Sequence, residues 1–239
     1  MELTSVNNDK VKCWQKLKEK KYRDLEKLFL VEDYHLVKEA IKKGIVKEII
    51  TINKEDVFNI DTYYVTDKIM KLISSQVTGA KVIAVCHMLP EKEVNGNIIV
   101  LDKLQDPGNL GTIIRSAVAF NFGAVVLSDD SVDIYNPKVV RASEGMIFHI
   151  NIIRTNLIKF LNNLDKAYIK ITTDVNDGKN IKEININKCA IIIGNEGNGV
   201  SEEVKSISDE KVYINMTDNC ESLNAAVCAS ILMYEVNNG

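Results

Sequence analysis

From residue 97 onward six short apolar runs alternate with segments of helical pattern, and no other feature of the chain constrains its fold as tightly. The runs are NIIVLD, AVVLS, FHINII, YIKITT, CAIIIGN and KVYIN. Runs of this length bounded by polar loops read as strands buried on both faces. Strands that alternate with helices form a mostly parallel sheet covered on both sides, which makes this region α/β. Ligands of such sheets bind beyond the carboxyl ends of the strands. Three loops therefore matter: LDKLQDPGNLGTIIRS after the first run, GNEGNGVS after the fifth, and INMTDNCESLN after the sixth.

These loops do not spell a familiar nucleotide site. The glycines of GNEGNG fall at 194, 197 and 199, an order that does not match G-x-G-x-x-G, and the chain has no G-x-x-x-x-G-K-[ST]. Three polar loops at strand ends, two of them bearing glycines, are nonetheless more than turn formation requires. The helix read over 221–236 poses a related question. It opens with Glu221, Ser222 and Asn224 and then runs through small and apolar residues. Asn219 or Ser222 would satisfy its need for a cap, and one cap needs only one polar residue.

The first part of the chain has a different pattern. FLVEDYHLVKEAIKKGIVKEII reads as strand, helix and strand, with the helix ending at Lys43 and Gly44 in the C-terminal capping position. YYVTDKIMKLISSQ continues with strand and helix, and KVIAVCHM is a further strand. The polar stretch LPEKEVNGN is the best linker. The expected division is a first domain at 1–90, a linker at 91–96 and a second domain at 97–239.

Charge separates the two parts. Residues 1–54 hold thirteen Lys/Arg against nine Asp/Glu, a local +4 in a chain of net −3, which leaves −7 for residues 55–239. The excess concentrates in DKVKCWQKLKEKKYRDLEK, residues 9–27. There Asp9 suits a helix cap, and Val11, Trp14, Leu17, Leu25 and Leu28 fall near one helical face. Lysines cover the other, and Lys16, Lys20 and Lys21 of this run are the candidate contacts to nucleic acid. That face is either simply solvated or a contact surface for nucleic acid.

Several classes are disfavoured. No run of about eighteen apolar residues is present, so a membrane span is not expected, and MELTSVNNDKVK does not resemble a secretory signal. A cytoplasmic protein is the expectation. The five cysteines are scattered without C-x-x-C and read as reduced, mostly buried thiols, and the three histidines are isolated. No metal site is expected.

Taken together, LDKLQDPGNLGTIIRSAVAFNFGAVVLS, IIIGNEGNGVSEEV and VYINMTDNCESLNAAVCASILMYEV resemble, in order and spacing, the three signature motifs of the SpoU (TrmH) family of RNA ribose 2′-O-methyltransferases in the SPOUT superfamily. The resemblance spans 97–236. The first domain is similar to the ribosomal-protein-like substrate-binding extension found in many members, with FLVED standing where the family has F-L-V-E-G, so that Asp33 replaces the glycine.

The resemblance implies a deep trefoil knot, S-adenosylmethionine as methyl donor, and RNA as substrate, with ribosomal RNA favoured over transfer RNA; the alternative is an RNA-binding protein of the same fold without catalysis. It assigns cofactor contacts to Gly194, Ile214 and Leu223, with Met216 and Ser222 beside them; Asn215 stands where the family has proline. Asn109, Arg115, Glu196, Ser222 and Asn224 fall on the positions that carry catalysis. Arg115 is the proposed catalytic residue, and because a guanidinium stays protonated, contact with the phosphate next to the target ribose suits it better than a base role. NPKVVRASEGMIFHI resembles a segment that approaches RNA, which makes Arg141 an RNA contact. The small residues Ala225, Ala226, Ala229 and Ser230 allow close helix packing, implied to be a homodimer seam through the 221–236 helix; an intramolecular contact would use them equally well.

Overall fold

The computed structural model describes residues 1–174, 177–217 and 219–238. Contacts divide the chain into two units, 1–90 with 133–148, and 91–132 with 149–239.

In the first unit, β1 (Glu2–Leu3), α1 (Asp9–Lys16), α2 (Lys20–Glu26), β2 (Leu28–Glu32), α3 (Tyr34–Lys43), β3 (Val46–Thr51), β4 (Thr62–Val65), α4 (Asp67–Ile73) and β5 (Val82–His87) build a mixed sheet of order β1-β4-β3-β5-β2. Val11, Trp14 and Leu17 pack into a core with Leu28, Leu30, Ile50 and Ile83. Burying a side chain of this size contributes roughly 1.5–3 kcal/mol. Trp14 is anchored further, because its Nε1–H donates to Glu48 Oε1 at 2.5 Å, and Lys10 Nζ pairs with the other Glu48 oxygen at 2.7 Å.

The single helix expected over 9–27 is two helices. Leu17, Lys18 and Glu19 break it, and the buried Arg23 explains why. Its guanidinium donates to the Leu17 and Lys18 carbonyls at 2.8 and 2.7 Å and pairs with Asp133 at 2.5 Å. Carbonyls that a continuous helix would have used are thus satisfied by a side chain. Leu25, placed by periodicity on the apolar face, is 70% exposed. The cap of α1 is Asn8, which accepts from Lys10 N, and Asp9 is the first helical residue.

The α3 segment forms as its sequence reads. Gly44 is left-handed at φ 73° and its N–H reaches the Ala40 and Ile41 carbonyls. Asp33, in the position of the family's glycine, keeps a glycine-like backbone at φ 78°, ψ 143°. A non-glycine residue there costs about 1–3 kcal/mol. Its carboxylate accepts from Gln76 Nε2 at 2.8 Å, an offset of about 1 kcal/mol. Asp33→Gly should therefore leave stability within about 1 kcal/mol, while Asp33→Val, β-branched at positive φ, should lower it by about 2 kcal/mol or more. Denaturant unfolding of the two variants checks this.

The second unit holds β6 (Ile98–Leu101), α5 (Pro107–Ala119), β7 (Ala124–Ser128), β8 (Asn151–Thr155), α7 (Leu157–Asn163), β9 (Ile169–Thr173), β10 (Cys189–Ile193), α8 (Glu202–Lys205), β11 (Glu210–Val212) and α9 (Ala225–Asn238). Between β7 and β8 the chain forms α6 (Pro137–Ala142) and a short 3-10 turn at Met146–Phe148, and both group with the first unit. Phe29 of β2 stacks on Tyr135 and Phe148 at 4.4 and 6.5 Å between ring centres. Residues 133–148 thus pack outside the unit that flanks them in sequence, and 91–96 lie within the second unit. The strand read from Phe148 begins at Asn151, because Phe148 belongs to that 3-10 turn.

All pairings in the second sheet are parallel, in the order β11-β9-β10-β6-β7-β8. The chain runs outward through β6, β7 and β8, then crosses to β9 and returns to insert β10 beside β6. The strand order therefore reverses between β6 and β10, the point at which such sheets bind ligands. Ile193 pairs with Leu101, so the loops after these two strands leave the sheet edge side by side.

Candidate active site

The loop after β6 leads into α5, whose N-cap Asp106 accepts from Asn109 N at 2.7 Å. Pro107 follows at the first helical position, where its missing N–H costs nothing. Asn109 is thereby fixed in the first turn, with its amide aimed at the neighbouring loop. Its Nδ2 donates to Glu196 Oε1 at 3.0 Å, and its Oδ1 accepts from Asn224 Nδ2 at 2.9 Å. Asn224 in turn caps α9, since its Oδ1 accepts from Ala226 N and Val227 N at 2.9 and 3.3 Å. Asn219 and Ser222, the expected caps, do not serve, and the helix begins at Ala225 rather than 221. One chain of hydrogen bonds, Glu196–Asn109–Asn224, ties the three loops together.

Burial alone would push the Glu196 carboxyl up. Hydrogen bonds from Asn109 and from the backbone N–H groups of Glu196, Asp106 and Gln105 outweigh it and hold the group below the ordinary carboxylate range. A carboxylate so stabilised is a poor proton acceptor near neutral pH, so its chemistry is that of an anchor. The anchoring free energy is present above the ordinary carboxylate pKa and is lost as pH falls through the lowered value.

Behind this chain the ends of β9, β10 and β11 enclose a cavity of 540 Å³. Gly194, Ile214, Met216, Ser222 and Leu223 all line it, as do Glu196 and Asn224. Ser222 stands on the wall but outside the Glu196–Asn109–Asn224 chain. Gly194 is there for a physical reason: a Cβ on it would lie 1.9 Å from the Gly199 carbonyl carbon and 2.1 Å from Val200 N. Only glycine lets the two arms of the 194–200 loop approach this closely. Backbone, apolar side chains and a few polar groups share the wall, a lining that suits an adenosine-sized ligand.

The wall also includes residues that the sequence reading passed over, Thr173, Asp174, Lys205 and Cys228. The strand-end rule, applied to YIKITT as it was to the other runs, would have found the first two. Lys205 pairs with Glu202 at 2.8 Å and lies 4.0 Å from Asp174. Burial raises the Cys228 thiol to about 11 and that of Cys189 to about 12, so neither is a nucleophile at neutral pH. All five cysteines are free; Cys86 and Cys189 are buried, whereas Cys13 and Cys220 are exposed. Among the described residues no group of acidic, His and Cys side chains is arranged to hold a metal ion.

Arg115 lies on α5 and is exposed, with no ion pair among the described residues. Lys16, Lys20, Lys21 and Arg141 are exposed residues of the first unit and are not part of this constellation. Lys20 is bound to Asp24 at 2.5 Å, and Lys16 and Lys21 lie over the Tyr22 ring at 5.3 and 5.9 Å. On α9, Ala226 and Ala229 are fully packed within their own unit, and Ser230 shares a hydrogen bond of 2.7 Å with Ser116 of α5. The small residues therefore serve an intramolecular helix contact.

A parallel α/β sheet with a cavity at its switch point, walled by a polar three-loop network, defines a class of protein that binds a nucleotide-sized ligand beyond its strand ends. The SpoU rRNA methylase family matches residues 96–234, and an MRM3-like substrate-binding domain matches residues 8–84. The chain belongs to the SpoU rRNA methylase family. It is 37% identical over 244 residues, 98% of each chain, to the 23S rRNA (guanosine(2553)-2′-O)-methyltransferase RlmP of Bacillus subtilis. It is 31% identical, over 84% of this chain and 86% of the other, to a putative TrmH family tRNA/rRNA methyltransferase of Staphylococcus aureus. Among solved structures, the AdoMet-bound rRNA methyltransferase from Sinorhizobium meliloti superposes with a TM-score of 0.89 at 26% identity, covering 100% of this chain and 97% of the other.

Proposed function

We propose that the chain transfers a methyl group from S-adenosylmethionine to a ribose 2′-hydroxyl of ribosomal RNA, and that a guanosine ribose of the large-subunit RNA, as named for the Bacillus relative, is the first substrate to test. The observation that carries this is the cavity at the switch point, with Glu196 and Asn224 in its wall and Asn109 bonded to both. S-adenosylmethionine held there supplies an electrophilic methyl on a sulfonium. Gly194, Ile214, Met216, Ser222 and Leu223 would hold it. The Glu196–Asn109–Asn224 chain keeps the loops in register, so the protein is organised before substrate arrives. Arg115, exposed and without an ion pair among the described residues, donates through its planar fork to a phosphate next to the target ribose and so orients the hydroxyl.

The first unit supplies long-range attraction through Lys16, Lys21 and Arg141, with Lys20 contributing less because Asp24 neutralises it. The trefoil knot implied by the family belongs to the same proposal, and the insertion of β10 between β9 and β6 is compatible with it. No helix among the described residues is long and apolar enough to cross a membrane. We place the reaction in the cytoplasm, where ribosomal RNA is assembled.

The homodimer is proposed on a face other than the small-residue stripe. Val227 and Tyr234 of α9 are 47% and 53% exposed, and Tyr234 makes an edge contact with Phe120 at the end of α5. Val227→Asp with Tyr234→Asp should give monomers, read by sedimentation velocity. A wild-type monomer at assay concentration would contradict the dimer.

Incubating the protein with methyl-labelled S-adenosylmethionine and ribosomal RNA tests the function. Digestion of the RNA should release label as a 2′-O-methylnucleoside; label in a base, or none with any RNA, would refute the reading.

A further inference from the structure

Outside the active constellation, Arg154 is the fourth of the five residues of β8, the strand at one edge of the second sheet. Among the described residues its guanidinium meets no carboxylate. It donates instead to a row of main-chain carbonyls in the turn after β7: Asp129 O and Ser131 O at 2.8 Å, Ser128 O at 3.5 Å, and Val132 O in a short contact. A cation spread over successive carbonyls fixes the turn more rigidly than backbone hydrogen bonds alone, since each charge-assisted bond is stronger than a neutral one.

That turn is where the loop after β6 is fastened. Ser128 Oγ accepts from Lys103 N at 2.9 Å, Leu104 O accepts from Val132 N at 2.8 Å, and the Asp130 carbonyl accepts from Gln105 Nε2 at 2.8 Å. Gln105 N and Asp106 N then face the Glu196 carboxylate at 3.5 and 3.3 Å, and Asp106 caps the helix that carries Asn109 and Arg115. Lys103 is held in the left-handed region at φ 57°, a conformation that this fastening must maintain.

We infer that Arg154 is a positioning residue for methyl transfer, which sets the start of α5, and with it Asn109 and Arg115, by clamping the turn at 128–132 on which Gln105 is hung. The inference rests on the proposed methyltransferase reading. It separates two functions that a general loss of structure would not. Neither Arg154 nor any residue of 128–132 lines the cofactor cavity. Loosening the clamp therefore leaves cofactor affinity in place and degrades turnover, because misplacement of a reacting group by about 1 Å can cost on the order of a hundredfold in rate.

The test uses the full chain, ribosomal RNA and S-adenosylmethionine, after wild-type protein has shown transfer; absence of wild-type activity would count against the methyltransferase reading and not against the clamp. Arg154→Ala should lower single-turnover rate by roughly ten- to a hundredfold, with the S-adenosylmethionine Kd within about twofold of wild type. Arg154→Lys, which keeps the charge but not the planar fork, should recover only part. Gln105→Ala, at an exposed side chain and safe for folding, should slow transfer by the same route. The double variant Arg154→Lys/Gln105→Ala should be no slower than the slower single variant, because both act through one connection. Turnover at the wild-type rate in Arg154→Lys and Gln105→Ala, or effects that multiply in the double variant, would overturn the inference whether or not Arg154→Ala folds.

Discussion

Gly194→Ala should abolish S-adenosylmethionine binding at concentrations that saturate the wild type. The added methyl would sit 1.9 Å from the Gly199 carbonyl carbon, 2.1 Å from Val200 N and 2.3 Å from Gly199 O, all of them backbone atoms. No rotamer relieves such an overlap. The loop must open, although it is closed by a reciprocal pair, Asn195 N to Gly199 O at 3.0 Å and Gly199 N to Asn195 O at 2.9 Å. Forcing extra volume into a packed site costs about 1–3 kcal/mol; an overlap with backbone this deep belongs at the upper end, which is about a hundredfold in affinity. Calorimetric titration measures it, with circular dichroism showing that the fold persists. Cofactor binding at wild-type strength would mean that the 194–200 crossing does not shape the cavity.

Arg115→Ala has a complementary expectation. Because Arg115 does not line the cavity, cofactor affinity should stay as it was. Transfer to RNA should fall by about a hundredfold or more, the usual effect of removing a group that stabilises or positions charge at the reacting centre. Arg115→Lys should recover little, since an ammonium does not reproduce the bidentate contact. Single-turnover methylation at saturating cofactor separates binding from chemistry. Near-wild-type transfer by Arg115→Ala would remove this residue from the mechanism.

Much of the second unit was legible in the sequence because its determinants are local. Each apolar run became a strand within a few residues of its expected bounds; β6, β7 and β10 at the centre are fully buried as such runs imply, whereas β8, β9 and β11 are only partly buried. The same holds for α3, where Gly44 alone fixes the end. The joint occurrence of three polar loops located the site, and topology then brought Asn109, Glu196 and Asn224 into one hydrogen-bonded chain.

What the sequence hid depends on partners far away along the chain. The break between α1 and α2 follows from Arg23 satisfying the carbonyls of 17 and 18, held in turn by Asp133, which lies 110 residues on. No periodicity reports such a contact. The grouping of 133–148 with the first unit rests on the aromatic packing around Phe29, and the segment itself reads as an ordinary capped helix. The α9 stripe was ambiguous for a related reason: small residues signal a close helix contact without saying whose helix, and Ser116 of α5 supplies the answer.

The account stands on ribose methylation of ribosomal RNA, and mapping 2′-O-methyl positions across all cellular RNA with and without this gene tests it most directly. The expected result is loss of methylation at one position of the large-subunit ribosomal RNA, restored by the wild-type chain and not by Arg115→Ala. An unchanged ribose methylation profile in every RNA would contradict it.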